Sequence, residues 1–252
     1  MDKFAIGIIG GTGGIGKWFA AFFAAEGYTV HVTGRSTGMS LPELADRCPV
    51  VIVSVPIAAT IEVIRRVGLH LPEGSLLMDF TSLKEEPVRE MLRATAADVV
   101  GCHPLFGPDC PSLAGQNVIL CPGRGERWLK LMEGLFTKGG ARVTVTTPAQ
   151  HDRMMSLVQG LTHLETILMG LTIRDAGVEP LALEPFSTPV FRTRQAIVGK
   201  VFGASPDLYA GLIAGNGNMP KILEIYEKNL SILKSLIFAE DAAGIAALIK
   251  KP

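Results

Sequence analysis

Seven short apolar runs recur along the first 145 residues, and they predict the strands of one sheet. The run at 50–55 is apolar at almost every position, which is typical of a parallel strand covered by helices on both faces. The predicted strands lie at residues 4–9, 29–33, 50–55, 75–80, 98–102, 117–121 and 141–145. Stretches with helical periodicity at 17–26, 58–67 and 84–95 separate several of them. The pattern therefore predicts an α/β domain with a mostly parallel sheet.

The pattern changes at Thr147. A threonine followed by proline and, three residues on, by Gln150 is typical of a helix start. Beyond it the apolar spacing is helical throughout, with predicted helices at 148–176, about 181–202, from Pro206, and one or two after Pro220. We therefore predict a sheet domain over 1–147 and an all-helical domain over 148–252. So much apolar helical surface indicates a homodimer formed through the helical domain.

A glycine-rich turn joins the first strand to the first helix. The segment GGTGGIG at 10–16 has the spacing of a dinucleotide-binding turn in a strand–helix–strand frame. We expect Gly11 to make the tight turn, Gly13 to let a pyrophosphate approach the backbone, and Gly16 to let the helix pack on the strand. The candidate cofactor-binding residues of this turn are Gly11, Thr12, Gly13, Gly14, Ile15 and Gly16. The first domain is therefore predicted to be a Rossmann-type NAD(P)-binding domain.

The end of the second strand predicts which dinucleotide is preferred. Proteins that prefer NAD usually place a carboxylate there, whereas this chain has Arg35, Ser36 and Thr37. Arg35 can pair with a 2′-phosphate and the two hydroxyls can add donors, so NADP is predicted, with NAD as the alternative. A solvated loop that happens to contain arginine would look the same. The turn after the third strand should border the nicotinamide through Ser54, Val55, Pro56 and Ile57.

A histidine stands among turn-forming residues in the segment GCHPLFGPD at 101–109. Pro104 and Gly107-Pro108 predict a rigid, irregular loop after the fifth strand, which would carry His103 into a site. A surface turn with an exposed histidine is the alternative. Ser82 follows the fourth strand and is a second candidate, although serine at such a position is often only a helix cap.

Composition excludes several classes of function. Lysine plus arginine and aspartate plus glutamate number 24 each, so charge gives no reason to expect nucleic acid. The longest apolar stretch, at 48–61, is short and contains two prolines, so no membrane span is predicted. Four cysteines lie in or beside apolar runs without C-x-x-C spacing, which favours a reduced, cytoplasmic setting. No metal site is predicted, although Cys102, His103 and Cys110 could be imagined as ligands.

Several of these motifs together resemble the prephenate dehydrogenase family of tyrosine biosynthesis, over essentially the whole chain. The H-P-x-F-G-P element with a downstream His-Asp is far more selective than the glycine motif. The matching segments are GGTGGIG at 10–16, VSVPI at 53–57, DFTSLK at 79–84, GCHPLFGPD at 101–109, QHD at 150–152 with His163, and FSTPVFR at 186–192. The chain begins at the first strand and ends soon after the helices. We therefore expect a stand-alone dehydrogenase, without a fused chorismate mutase or regulatory domain.

The resemblance implies an activity. Family members oxidise the C4 hydroxyl of prephenate, pass hydride to NADP⁺ or NAD⁺, and lose the ring carboxylate as CO2 to give 4-hydroxyphenylpyruvate. By match, His103 would bond the hydroxyl, and Ser82 would lie beside the nicotinamide and orient His103.

The same resemblance assigns the substrate carboxylates. His163 and the cations of the helix from Arg192 to Lys200 would bind them, with Arg194 between. Many relatives have arginine where this chain has Lys200, so Lys200 acts more weakly or Arg192 or Arg194 shares the role. His151 would serve the domain junction through Asp152, because a continuous helix places His151 and His163 about 18 Å apart. A structural role is the alternative for each.

Other functions stay open at this point. Arogenate or 4-amino-4-deoxyprephenate could replace prephenate without changing any of these motifs. Another Rossmann oxidoreductase with a helical second domain, such as an NADP-dependent reductase, would share the glycine turn but would not need H-P-x-F-G-P. A non-catalytic NADP-sensing protein would keep the cofactor site and lose the substrate site.

Overall fold

The computed structural model describes residues 4–35, 39–203 and 206–250. These residues form two compact units that are not contiguous in sequence. The sheet unit comprises Met1–Met154 with Ser205–Gly215, and the helical unit comprises Met155–Ala204 with Asn216–Pro252. The start of the predicted helical region, and one later helix, thus belong to the sheet unit.

One seven-stranded sheet forms the centre of the sheet unit. Its strands are β1 (Ala5–Ile9), β2 (Thr29–Thr33), β3 (Val50–Val53), β4 (Leu76–Asp79), β5 (Asp98–Pro104), β6 (Asn117–Arg124) and β7 (Arg142–Val145). Their order is β2-β1-β3-β4-β5-β6-β7, and every neighbouring pair is parallel except β5 and β6. The predicted fold class is therefore confirmed.

Helices connect these strands and make up the helical unit. In chain order they are α1 (Gly14–Ala25), α2 (Leu41–Arg47), α3 (Ile57–Gly68), α4 (Glu85–Ala94), α5 (Arg127–Lys138), α6 (Pro148–Met155), α7 (Thr162–Asp175), α8 (Pro189–Gly203), α9 (Pro206–Ala214), α10 (Met219–Phe238) and α11 (Ala242–Lys250). A π-helical segment, Ser156–Leu161, joins α6 to α7. The residues predicted as one helix over 148–176 are thus helical, but they are not α-helical throughout.

Three helices differ from what the sequence predicted. The helix predicted at about 181–202 is a 3-10 segment, Pro180–Phe186, followed by α8, because two prolines interrupt an α-helical hydrogen-bond pattern there. Helices α2 and α5 were not predicted. The N-terminus of α2 does carry a recognisable signal, since Ser40 and Glu43 form a capping box.

The core of the sheet unit lies on both faces of the sheet. On one face, Phe19 and Phe23 of α1 are fully buried against the strands. On the other face, Leu44, Ile64 and Met91 of α2, α3 and α4 are fully buried. Strands covered on both faces leave their carboxyl ends as the open edge of a parallel sheet, which is where such folds bind ligands. Among the described residues, no helix is both long and apolar enough to cross a bilayer.

Candidate active site

A cleft of about 940 Å³ opens at the carboxyl ends of β1, β2 and β3. It is lined by the glycine turn, the residues that follow β2 and β3, and one side of α3. The lining residues are Ile9, Gly10, Thr12, Gly13, Thr33, Gly34, Arg35, Met39, Ser40, Leu41, Pro42, Ser54, Val55, Pro56, Ala59, Val63, Arg66, Leu69 and His70. Predicted cofactor-binding segments from three parts of the sequence thus meet in one cavity.

The glycine turn is tight at Gly10. This residue has a positive φ of 83°, and a Cβ on it would lie 2.1 Å from the carbonyl oxygen of Ser54. Gly11, predicted to make the tight turn, lies within it, because the Gly13 amide donates to the Gly10 carbonyl oxygen at 3.0 Å. A Cβ on Gly11 would lie 2.6 Å from the Val32 side chain. A Cβ on Gly16 would lie 2.4 Å from the Gly10 carbonyl oxygen, so α1 packs directly on the turn.

This turn suits a pyrophosphate. Helix α1 begins at Gly14 with Gly13 as a cap that makes no side-chain hydrogen bond. The first-turn amides of an α-helix have no partner within the helix and lie at its positive end. Thr12, Gly13 and Gly14 are exposed, and Ile15 is half-buried. Thr12 and Gly13 line the cleft directly before the first turn of α1, a position that suits a bound diphosphate.

Basic side chains also line the cleft. Arg35 follows β2 and is exposed, and Arg66 and His70 contribute from α3 and the turn after it. No carboxylate is found among the described residues that line the cavity. Arg66 and His70 were not predicted to line the cleft. Their positions after the third strand, in and just beyond the helix that borders the cleft, could have indicated it. The predicted contacts of Ser36 and Thr37 lie outside the described residues.

His103 lies inside β5 rather than in a loop. The strand extends to Pro104 because β6 pairs with it in antiparallel fashion, with His103 opposite Ile119. The prediction of a loop after residue 102 was therefore wrong, and so was the alternative of an exposed surface histidine. Only 3% of His103 is exposed.

A chain of hydrogen bonds leads away from the His103 ring. Its Nδ1 lies 2.9 Å from Nε2 of His151, and Nδ1 of His151 lies 2.7 Å from Oδ1 of Asp152. The Asp152 carboxylate also accepts the backbone amides of Lys84 at 2.8 Å and Glu85 at 2.9 Å, at the start of α4. His151 and Asp152 are both buried. Helix α6 thus places a His-Asp pair behind the candidate catalytic histidine.

The surroundings of His103 favour its neutral form. Burial lowers its pKa well below the usual 6.5, and the positive charge of Lys84 lowers it further. A neutral imidazole has one nitrogen that can accept a hydrogen bond. The ring can therefore accept a proton at neutral pH.

A buried ion pair lies beneath the same edge of the sheet. The Lys84 ammonium contacts the Asp79 carboxylate, and neither side chain has any exposed surface. Oδ2 of Asp79 also accepts the Thr81 amide at 3.0 Å, whereas Oδ1 is buried with no hydrogen-bond partner among the described residues. Both residues belong to the DFTSLK segment, yet they were not predicted as site residues. The sequence feature that could have indicated Asp79 is an aspartate at the end of an otherwise apolar strand.

Ser82 lies in the turn between β4 and α4 and is half-buried. Within the described part of the chain, no hydrogen bond joins it to His103, whose Nδ1 bonds His151 instead. The predicted role of Ser82 in orienting His103 stays a prediction.

The FGPD turn after β5 contacts helix α1. The Phe106 ring packs edge-on against Trp18 of α1 with centroids 5.0 Å apart. The Trp18 indole donates a 2.6 Å hydrogen bond to the carbonyl oxygen of Cys110. Pro108 lies beside Gly14, with its Cγ 3.4 Å from an added Cβ. The strand that holds His103 is thus fixed to the start of α1.

The other predicted substrate residues belong to the helical unit. His163 is in α7 and is half-buried, and burial lowers its pKa. Arg192, Arg194 and Lys200 are exposed on α8. The Arg192 guanidinium donates a hydrogen bond to the Ser187 carbonyl oxygen at 3.2 Å.

Comparisons with known proteins agree with this organisation. The family model "Prephenate dehydrogenase, nucleotide-binding domain" matches residues 24–145, and "Prephenate dehydrogenase, dimerization domain" matches residues 147–251. The chain is 36% identical over 98% of its length to a "Probable arogenate/prephenate dehydrogenase" of Methanocaldococcus jannaschii, and 34% identical over 95% to a "T-protein" of Haemophilus influenzae. It covers 59% and 63% of those two proteins, so it spans about three fifths of their length.

Solved structures show the same fold. A prephenate dehydrogenase from A. aeolicus, crystallised with hydroxyphenyl propionate and NAD+, superposes with a TM-score of 0.80 at 21% identity, over 99% of this chain and 96% of that one. A Synechocystis arogenate dehydrogenase superposes with a TM-score of 0.76 at 19% identity, over 98% and 96%.

Proposed function

The chain belongs to the prephenate dehydrogenase family, and on that premise we propose that it oxidises and decarboxylates prephenate to 4-hydroxyphenylpyruvate. The observation that carries the proposal is the buried His103, neutral at the end of β5 and fixed by its contact with His151. An arogenate dehydrogenase is the second candidate, because relatives bear both names.

The residues of the sheet unit would divide the chemistry between them. Bound in the cleft, the nicotinamide supplies the hydride acceptor. The glycine turn and the start of α1 would hold the diphosphate, and Ser54–Ile57 would border the nicotinamide. His103 would accept the hydrogen bond of the C4 hydroxyl and then its proton as the carbonyl forms. Loss of CO2 makes the ring aromatic, so the protein's main task is to align and polarise the hydroxyl.

We assign the remaining roles to the helical unit. His163 with Arg192, Arg194 or Lys200 would bind the two substrate carboxylates. Large apolar side chains are exposed on this unit, among them Leu181, Phe186 and Phe238, which are about four-fifths exposed in the single chain. Their burial against a second copy would form a homodimer through residues 148–252, while residues 1–147 bind the dinucleotide. The unpaired thiols of all four cysteines fit a reduced, cytoplasmic setting.

We propose NADP as the preferred cofactor, with NAD as the alternative. Arg35 and Arg66 line one cleft without a carboxylate among its described lining residues. Two guanidinium groups can neutralise a 2′-phosphate, although Arg66 also pairs with Glu62 at 3.8 Å.

Replacing Arg35 with alanine should raise KM for NADP by roughly 10- to 100-fold, the loss of one charge-assisted contact of about 1.5–3 kcal/mol. KM for NAD should change little, because NAD has no 2′-phosphate. Steady-state kinetics with each cofactor measure both constants, and Arg47→Ala, on α2 and outside the cleft lining, is the control. An equal loss with both cofactors would contradict the assignment of Arg35 to the 2′-phosphate.

The direct test of function is reduction of the nicotinamide by purified protein. With prephenate and NADP, absorbance at 340 nm should rise and 4-hydroxyphenylpyruvate should form in equal amount. The same assay with arogenate separates the two candidates. No absorbance change with either substrate and either cofactor would overturn the proposed function.

A further inference from the structure

The contacts behind His103 determine which of its nitrogens can accept a proton. Asp152 is the fixed end of this series of hydrogen bonds, because its two carboxylate oxygens accept the Lys84 and Glu85 amides at 2.8 and 2.9 Å. A carboxylate that accepts such bonds has only lone pairs to offer. The Nδ1 of His151, 2.7 Å from Oδ1, must therefore be the donor of that bond.

The donor of each remaining hydrogen bond, from His151 to His103, follows from this assignment. A neutral His151 with its proton on Nδ1 has a lone pair on Nε2. Nε2 lies 2.9 Å from Nδ1 of His103, so Nδ1 of His103 carries the hydrogen and donates it. The lone pair of His103 is then on Nε2. This is the nitrogen at which a hydroxyl proton could be accepted.

We propose that Asp152, acting through His151, holds His103 in the tautomer with its lone pair on Nε2, so that Asp152 and His151 are positioning residues for the reaction. The role in turnover rests on the proposed function, whereas the tautomer itself is a property of the protein alone. When His103 takes the substrate proton, its positive charge faces a His151 ring already bonded to a carboxylate. Lys84 also lies near His103, and its ammonium is paired with Asp79.

Burial explains why this arrangement is unambiguous. The His151 side chain has no exposed surface and Asp152 is 5% exposed, so water does not compete for their bonds. An unpaired donor or acceptor at such a site would be strongly unfavourable, because no water can replace the lost bond. The wrong tautomer of either ring would place two donors or two acceptors against each other. The Asp152 carboxylate therefore selects one tautomer at both rings.

The tautomer can be observed directly. We would record long-range proton–nitrogen spectra of the full-length protein labelled with ¹⁵N-histidine, without substrate, above the pH at which His103 protonates. The chain has five histidines, and His103→Asn and His151→Gln assign the two signals. His103 should carry its proton on Nδ1. A proton on Nε2 of His103 would overturn the proposal whatever the substrate proves to be.

Replacing Asp152 with asparagine tests the effect on turnover. An amide can donate toward His151 Nδ1, which reverses the preferred tautomer of both rings. The His103 signal should show the Nε2-protonated form, kcat should fall by roughly 10²-fold, and cofactor Kd should stay within about twofold. Asp175→Asn, an exposed aspartate on α7 paired with Arg174, is the matched control and should leave the spectrum and kcat unchanged.

Two outcomes separate positioning from a structural role. Asp152 also caps α4, so Asp152→Asn can lose stability; His151→Gln leaves that cap intact and should show the same fall in kcat. If the His103 tautomer is unchanged in both variants, the proposal is wrong, even where activity falls. If the tautomer changes as expected but no variant or parent oxidises prephenate, the positioning is supported and the proposed function fails.

Discussion

Replacing His103 with asparagine should lower kcat by roughly 10²- to 10⁴-fold while leaving cofactor binding within about twofold. The asparagine amide can reach the position of the histidine Nδ1, so the contact with His151 can persist. Nothing then occupies the position of Nε2, and the substrate hydroxyl loses its proton acceptor. Steady-state kinetics with prephenate measure kcat, and fluorescence quenching by NADP measures the cofactor Kd.

The pH profile provides the second measurement of this prediction. Because the pKa of His103 lies well below 6.5, the imidazole is neutral at neutral pH and protonates only as the solution becomes acidic. Activity of the parent protein should therefore hold from neutral pH to below 6.5, and then fall as the pH drops through that pKa. The residual activity of His103→Asn should lack this acid limb.

His31→Asn is the matched control. His31 lies on β2, is half-buried like many strand residues, and is not among the residues that line the cleft. Its replacement should keep both kcat and the acid limb. Unchanged turnover in His103→Asn, with a normal thermal transition, would mean that this histidine is structural.

The architecture of the sheet unit could be predicted because most of its strands are continuous apolar runs in the sequence. Strands such as Val50–Val53 are buried on both faces, so no polar residue interrupts the pattern. The glycine turn, the helix and the β-branched run between Gly10 and Thr33 together predicted the parallel strand–helix–strand unit. Helices α2 and α5 were missed, and the seven residues of α2 are too few to show a clear periodicity.

The candidate site could be predicted only in part. His103 was identified from its turn-forming neighbours, although these residues do not end the strand, since β6 pairs as far as Pro104. Its partner could not be predicted, because His151 lies 48 residues away and Asp152 lies 68 residues from the Lys84 amide that it accepts. Contacts at such separations depend on where α6 meets the sheet. No local pattern in the sequence contains that information.

Replacing Lys84 with methionine should destabilise the sheet unit by about 3–5 kcal/mol, the usual cost of leaving one partner of a buried ion pair behind. Both Lys84 and Asp79 are fully buried, so water cannot solvate the carboxylate once the ammonium is removed. Oδ1 of Asp79 already has no hydrogen-bond partner among the described residues.

Urea unfolding followed by tryptophan fluorescence measures the stability of the sheet unit. The two tryptophans, Trp18 and Trp128, both belong to the sheet unit, so their signal reports that unit rather than the helical one. Lys130→Met is the matched control. Lys130 forms an exposed pair with Glu126 one helical turn away, and its loss should leave the midpoint unchanged.

The double variant Asp79→Asn/Lys84→Met separates charge from packing. Asparagine keeps an acceptor for the Thr81 amide, and methionine keeps most of the lysine stem, whose Cδ lies 2.9 Å from a Cβ added to Gly101. With both charges gone, most of the lost stability should return, since neutral replacements of buried pairs are often tolerated. If the double variant is as unstable as Lys84→Met alone, the loss comes from packing across Gly101. If instead Lys84→Met alone leaves the midpoint unchanged, the buried carboxylate of Asp79 is accommodated without the ammonium, and the pair contributes no stability.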